Sequence, residues 1–344
     1  RISPLKLIRL QRTINRVENL ASQLSSEQPW THKNAEEWDQ ITLEGWLQRE
    51  AKDPQAIALF RAAIRVIFGA DPGDLSFFHF LTYVGSGGGL MRLVEINNGH
   101  QELGIVGGSQ QISQRLAADL AHVRQGIAVR KIEQHASHIT LSTDSETWKA
   151  QRVLVTIPPP LAGRIIYEPA LPSTRDQLMQ RAWMGNTVKC FALYDEAFWR
   201  KEGFSGEAVN PDGPVTVVFD NMRSSGQACL LGFVVGAPAR TWSKQNPEAR
   251  RKVVLKTFER YFGEKARTPS HYLEVDWATE SWSSGAPVAN FPTGTLSLLG
   301  PDLRRPANRI HWAGTESAQD HAGFMEGAVE SGERAAAEII KALA

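Results

Sequence analysis

The chain has little cysteine, no surplus of charge of either sign and no long apolar run, and each lack removes a class of function. Two cysteines in 344 residues, Cys190 and Cys229, provide neither a disulfide framework nor a metal-ligand set. A stapled secreted scaffold and a zinc module are therefore set aside, no metal is expected, and a reducing compartment, the cytoplasm, is the expected location. Lys and Arg number 38 against 37 Asp and Glu, for a net charge of +1, so nothing in the balance attracts nucleic acid or a charged membrane. No stretch approaches the roughly 18 consecutive apolar residues needed to span a bilayer. The opening Arg1–Leu10 is basic and apolar but lacks the sustained hydrophobic core and cleavage site of a secretory leader. Also missing is a G-x-G-x-x-G turn between a strand and a helix. In Gly85-Ser-Gly-Gly-Gly-Leu-Met, Leu90 occupies the place of the third glycine, and an aromatic helical stretch precedes it instead of a strand. That run reads as a flexible connection.

What is present is ordinary globular material, 42% hydrophobic and 22% charged, enough for two domains or one large one. Helical spacing of apolar residues predicts helices over Leu5–Leu24, Pro54–Phe68, Leu75–Val84 and Pro247–Phe262, with a short capped helix starting at Thr42. Ile105-Val-Gly-Gly-Ser reads as a strand end, a turn and a helix capped by Ser109. Alternation predicts strands over Ile127–Ile132, His138–Ser142, Arg152–Ile157, Thr187–Tyr194, Pro214–Asp220 and Ala228–Val235. No repeat, low-complexity tract or linker interrupts them. One residue breaks its context: Lys189 sits inside the apolar strand Thr187–Tyr194, where a cation is costly to bury. An exposed or snorkelling lysine is the ordinary alternative.

The stretch that organises the rest lies near the end, where Arg309-Ile-His-Trp-Ala-Gly-Thr-Glu-Ser leads through a polar loop to His321-Ala-Gly-Phe-Met-Glu-Gly-Ala-Val-Glu-Ser-Gly-Glu-Arg-Ala-Ala. It reads as a strand over Arg309–Ala313, a small-residue turn, and a helix from about Met325. Free N–H groups at that helix start suit a polar or anionic ligand edge. Gly323 and Gly327 would let backbone approach a bulky ligand closely. Val329, Ala335, Ala336, Ile339 and Ile340 form the face expected to be buried. A plain strand–helix unit packed on a sheet fits the same pattern.

This segment resembles the C-terminal flavin-binding motif of the flavin-containing monoamine oxidases, within the flavin amine oxidase superfamily, and the resemblance extends more weakly back to about Pro29 through Trp30 and Trp38. It implies a mixed α/β fold of interleaved segments. Residues 1–105 and 179–279 would bind substrate, and residues 106–178 and 280–344 would hold FAD. Gly314, Thr315 and Glu316 would line its phosphate and ribityl region, with Gly323 in the same loop and Met325 offering its N–H to the flavin ring. The backbone of Val129 would meet the adenine, and Thr156 would end a strand beside the cofactor. Lys189 would hold a water near the flavin, Trp277 would pack beside it, and Phe324 would stand in the amine path. Val66, Ile67, Leu93, Val94, Gln101, Val217, Phe233 and Pro287 would line the slot.

The reaction implied is oxidation of an amine to an imine and aldehyde, with oxygen reduced to hydrogen peroxide. Three departures from the family bear on it. The position of the family's flavin-tethering cysteine is Ala286, so FAD would bind noncovalently. The two tyrosines of its aromatic cage correspond to Pro287 and Phe324. The βαβ unit that seats the FAD pyrophosphate has no counterpart, so a missing segment or a partner chain is expected to supply it. Another FAD oxidase or desaturase acting on amino acids, polyamines or carotenoid-like lipids, or a non-catalytic partner subunit, is the alternative.

Overall fold

The Pro54–Phe68, Leu43–Glu50 and Pro247–Phe262 helices start where a side chain caps an apolar periodicity. Asp53 Oδ1 accepts from Gln55 N at 3.0 Å and Ala56 N at 3.1 Å, Pro54 occupies the first helical position, and Gly69, left-handed at φ 61°, ends the Pro54–Phe68 helix. Thr42 caps Leu43–Glu50 by accepting from Gly45 N, and Asn246 caps Pro247–Phe262 by accepting from Glu248 N. The computed structural model describes residues 4–51, 53–222 and 226–344, so Arg1–Ser3 of the opening stretch lie outside it.

Thirteen strands are described. The first five are β1 (Lys131–Gln134), β2 (Ile139–Ser142), β3 (Thr147–Ala150), β4 (Val153–Val155) and β5 (Ile166–Glu168). Next come β6 (Trp183–Met184), β7 (Thr187–Tyr194), β8 (Ala208–Val209), β9 (Val215–Asp220) and β10 (Ala228–Val235). The last are β11 (His271–Asp276), β12 (Ala289–Asn290) and β13 (Ile310–Trp312). Mixed helix and sheet, with parallel and antiparallel pairs, is the α/β class expected.

The chain divides into two compact units built from alternating segments. The first comprises Arg1–Asn19, Glu36–Phe80 and Trp183–Gly294. Its five-stranded sheet, in the order β11-β7-β10-β9-β8, is antiparallel throughout. One face, carrying Val188, Cys190, Ala192, Tyr194, Val218, Leu230 and Val234, is buried together with Val254, Leu255, Phe258 and Phe262 of the Pro247–Phe262 helix. Cys190 and Cys229 form no disulfide and are both buried, and burial pushes the Cys190 thiol up to about 12.

The second unit comprises Leu20–Ala35, Leu81–Ala182 and Thr295–Ala344. It holds the sheet β3-β2-β1-β5 and the parallel pair β4–β13. Their shared core gathers Ile132, Ile139, Val155, Met179, Ile310 and Trp312. Trp312 is covered by the buried Arg175, whose guanidinium lies 3.6 Å from the ring centroid and donates to Asp302 O at 2.7 Å.

Several expectations need correction. Ile105 belongs to no strand, and Ser109 makes no side-chain cap; Gln111 Nε2 instead donates to Val106 O and Gly108 O at the turn. Ile127–Val129 stay outside the first ladder, whereas Arg130 already bonds to both neighbours, its N donating to Ser142 O at 2.8 Å and its O accepting from Ile166 N at 2.9 Å, ahead of the Lys131 pairing with Ser142. Strands β3 and β11, shorter or more polar than the alternation rule rewards, were not expected. On the Met325–Leu343 helix the buried residues are Gly327, Ser331 and Ala335, four apart, while Val329 and Ile340 stay 49% and 69% exposed and Ala336 is exposed. Small side chains let this helix seat closely, which larger apolar ones would prevent.

Gly232 in β10 shows how tight the first core is. A Cβ there would lie 2.9 Å from Phe258 Cε1 and 3.1 Å from Val215 Cγ1. Gly232→Ala is expected to lower folding stability by about 1–3 kcal/mol through overpacking. A denaturant midpoint equal to that of the parent chain would show that the sheet and helix can separate at no cost.

Candidate functional site

In the second unit, β4 and β13 run parallel with Ile310, His311 and Trp312 beside Val153, Leu154 and Val155. Their carboxyl ends therefore emerge together, at Thr156 and at Ala313-Gly314, the side of a parallel sheet from which ligand-binding loops arise. Gly314 takes φ 111°, and a Cβ on it would stand 3.2 Å from Thr156 O and 3.6 Å from a Glu316 carboxylate oxygen. The loop that follows is fixed to its own helix. Gly314 N donates to Ser331 Oγ at 3.1 Å, Thr315 Oγ1 donates to Phe324 O at 2.8 Å, and Arg334 donates to Trp312 O at 2.9 Å. Met325 opens the helix without any side-chain cap and is 57% exposed, which leaves first-turn N–H groups available.

Thr156, Gly314, Thr315, Glu316 and Met325 are thus brought together at one edge, each half-buried or exposed. Val129 lies two residues ahead of β1, its side chain packed on the core that includes Val155 and Trp312. The donor-rich backbone, the missing Cβ and the uncapped helix fit an elongated polar group such as a flavin dinucleotide. Gly323 serves a different end from the one expected. The space its Cβ would need is taken by Tyr83, whose hydroxyl would be 2.2 Å away, and Gly327 likewise meets His321 O at 2.3 Å. Both glycines allow close packing within the chain, not the approach of a ligand.

Phe324 is half-buried between Tyr83, at 6.3 Å between centroids, and His100, at 4.3 Å. Nothing in the spacing of the sequence singles out His100. Of its neighbours, Leu93 is buried, Val94 is 36% exposed and Gln101 is exposed.

The first unit carries the other expected residues. Opposite the helix-covered face of the sheet, one rung runs Val275, Lys189, Phe233, Val217 across β11, β7, β10 and β9. Lys189 therefore sits on an apolar surface, with its Nζ 5.5 Å from the Phe233 ring centroid and no carboxylate or hydrogen-bond partner among the described residues. Burial alone holds its pKa below the usual value of 10.5. Trp277 follows two residues after Val275, and its buried indole N–H has no acceptor. Val66 and Ile67 are half-buried on the Pro54–Phe68 helix, which packs against β9 and β10. Ala286 is held by its backbone, with N donating to Gly185 O and O accepting from Thr187 Oγ1, and Pro287 beside it is exposed. Pro287 and Phe324 belong to different units.

A family model described as flavin containing amine oxidoreductase matches residues 4–340. The chain is 38% identical over 331 residues to the "Probable flavin-containing monoamine oxidase A" of Dictyostelium discoideum, spanning 95% of this chain and 73% of that protein. It is 34% identical over 333 residues to the flavin-containing amine oxidase A of Equus caballus, spanning 95% and 63%. Among solved structures, cyclohexylamine oxidase from Brevibacterium oxydans superposes with a TM-score of 0.91 at 30% identity, over 97% of this chain and 75% of that one. Wild-type putrescine oxidase bound to putrescine gives a TM-score of 0.90 at 30% identity, over 99% and 76%.

The lowered pKa of Lys189 has a consequence for stability. Between its folded pKa and 10.5 the unfolded chain binds the extra proton, so stability rises with pH across that window, and the cost of the buried cation is fully present below it. Lys189→Met is therefore expected to melt above the parent at pH 7, with the difference narrowing as the pH approaches 10.5. Melting curves whose separation stays constant across that range would place the ammonium in water.

Proposed function

The chain belongs to the flavin-containing amine oxidoreductase family, and we propose that it oxidises a small apolar monoamine to an imine, hydrolysed to the aldehyde, with oxygen reduced to hydrogen peroxide. Enzymes of this family use FAD, which supplies the acceptor for the amine's electrons and their route to oxygen. The chain's own residues bind, orient and exclude water. Gly314, Thr315, Glu316 and Met325, at the ends of β4 and β13, would hold the cofactor by backbone and side-chain polar groups. Val129 and Thr156 would contact it from the same unit, and Trp277 is the flavin-contact candidate of the first unit. Ala286 has only a methyl group, so the attachment is noncovalent.

One observation carries the reading: Lys189 keeps an unpaired cation on an otherwise apolar sheet face, in one rung with Phe233 and Val217. A lone ammonium on such a surface is costly for stability and suited to stabilising negative charge as it develops on oxygen. The same face supports a monoamine over a diamine, because Val217, Phe219, Leu231, Phe233 and Val275 offer no carboxylate for a second ammonium. Val66, Ile67 and Pro287 of the first unit, and Leu93, Val94, Gln101 and Phe324 of the second, are the remaining substrate-contact candidates in this proposal. We propose a cytoplasmic setting, which the buried thiols Cys190 and Cys229, joined in no disulfide, support. Separately, no helix among the described residues is long and apolar enough to cross a membrane.

Lys189→Met is expected to slow the oxygen-dependent half-reaction by about tenfold or more, as loss of one electrostatic donor does elsewhere, and the amine-dependent half-reaction far less. Stopped-flow traces with unchanged reoxidation would remove Lys189 from the mechanism.

The pyrophosphate is the part of FAD for which the described residues offer no glycine turn. We assign it to a G-x-G-x-x-G-bearing segment, in the same chain or on a partner. Two features of the second unit support a cover of this kind. Leu103, Val106, Leu116 and Leu120 are 90%, 76%, 63% and 63% exposed, and β4 and β13 pair only with each other among the described residues. Residues 1–344 alone should then hold FAD weakly and exchangeably in equilibrium dialysis. Tight binding by the monomeric chain, or flavin that stays with acid-precipitated protein, would contradict the assignment.

A further inference from the structure

The Phe324 ring is backed by a second ring from a distant stretch of the same unit. His100 lies against it with centroids 4.3 Å apart and planes 32° apart. The imidazole is itself fixed: its Nε2 is 2.7 Å from Gly87 O, and since a carbonyl only accepts, that nitrogen carries the proton and donates. His100 N donates to Arg92 O at 3.0 Å. The loop bearing Phe324 hangs from the preceding residue of the same turn, because His321 N donates to Ser86 O at 2.9 Å and Ala322 N to Ser86 Oγ at 2.8 Å. Both partners of the stack are therefore tied to the adjacent residues Ser86 and Gly87. On the third side the buried Tyr83 blocks retreat, for even a methyl group on Gly323 would strike its hydroxyl.

We propose that His100 is a positioning residue for the amine site: its ring holds the Phe324 ring in one orientation, so that an aromatic or bulky apolar amine meets a rigid wall. This rests on the reading that Phe324 lines the amine path. The rotation of a half-buried phenyl ring about its second side-chain torsion is broad by itself. A stacked neighbour narrows it, and such pairs are worth a factor of about two to ten in an equilibrium. The donor to Gly87 orients the imidazole; the ring, not the donor, does the positioning. His100 touches Phe324 and acts through it.

The test uses the complete FAD-loaded protein with benzylamine and n-butylamine as substrates, and the variants His100→Ala, His100→Phe, His100→Gln and Phe324→Ala. His100→Ala should raise KM for benzylamine about two- to tenfold, with kcat and the n-butylamine KM changing less than about twofold. His100→Phe, which keeps a ring, should restore the benzylamine KM. His100→Gln, which keeps only a donor for Gly87, should not. A further readout is independent of turnover. In the NMR spectrum the His100 ring protons should be shifted by the phenyl ring current and return to ordinary positions in Phe324→Ala. If His100→Gln matches the parent while His100→Phe does not, or if the ring protons do not respond to Phe324→Ala, the inference is wrong. If Phe324→Ala itself leaves the KM of both amines unchanged while the ring protons respond, the stack exists but the reading of Phe324 as part of the amine path has failed.

Discussion

The pairing of β4 with β13 joins segments far apart in sequence, Val153–Val155 and Ile310–Trp312, in parallel. Parallel neighbours need a long crossover, and their carboxyl ends must lie side by side. That single constraint sets Thr156 beside Gly314 and places the uncapped start of the Met325–Leu343 helix next to both. The rest of the second unit secures it. Arg175 stacks on Trp312 from below, Ser331 receives Gly314 N from the helix, and Arg304 ties down the loop by donating to Ser317 O and Ala318 O at 2.7 Å each. A loop tied down at several of its carbonyls and N–H groups has little freedom left. It presents a fixed surface to a ligand without the cost of ordering at the moment of binding.

The first unit solves a different problem. The Pro247–Phe262 helix closes one face of the antiparallel sheet, and on the other face Thr187, Val217, Cys229 and Val235 are buried as well, so both faces are largely apolar. Residues alternate along β7: Val188, Cys190, Ala192 and Tyr194 are buried against the helix side, and Lys189 and Phe191 point the other way, half-buried. A lysine among the fully buried residues under the helix would be intolerable, whereas at 189 the side chain stays half-buried and its partial desolvation lowers its pKa. The aromatic face of Phe233 offsets part of that cost. The register, set by eight consecutive pairs between β7 and β10, makes this geometry insensitive to small shifts, since a one-residue slip would bury the cation outright.

Much of this was legible in the sequence where local chemistry decides structure. The Pro54–Phe68 and Pro247–Phe262 helices and the β7 and β10 strands follow from caps and apolar periodicity, and the start of the last helix follows from the small-residue turn before it. Lys189 stood out because a charge interrupts an apolar strand. What was not legible depends on partners distant in the chain. Gly323 reads as room for a ligand until Tyr83 is seen to fill the space. Val329 and Ile340 read as a buried stripe, but the helix seats on Gly327, Ser331 and Ala335 instead. His100 carries no pattern of its own, because what distinguishes it is a ring more than two hundred positions further along the chain.

Glycine at 323 and histidine at 100 answer the same mechanical need from opposite sides. With Tyr83 buried behind the loop, the backbone at 323 must come within contact of its ring, which only a residue without a side chain permits at φ 85°. That contact sets how far back Phe324 can lie. The imidazole of His100 then limits how the phenyl ring turns, and the hydrogen bonds at Ser86 and Gly87 keep the two limits in register. Thr315, by donating to Phe324 O, links this wall to the strand end at Gly314. A displacement of the aromatic wall would therefore be felt at the edge where Thr156, Gly314, Thr315 and Met325 gather, and the same small set of contacts fixes both.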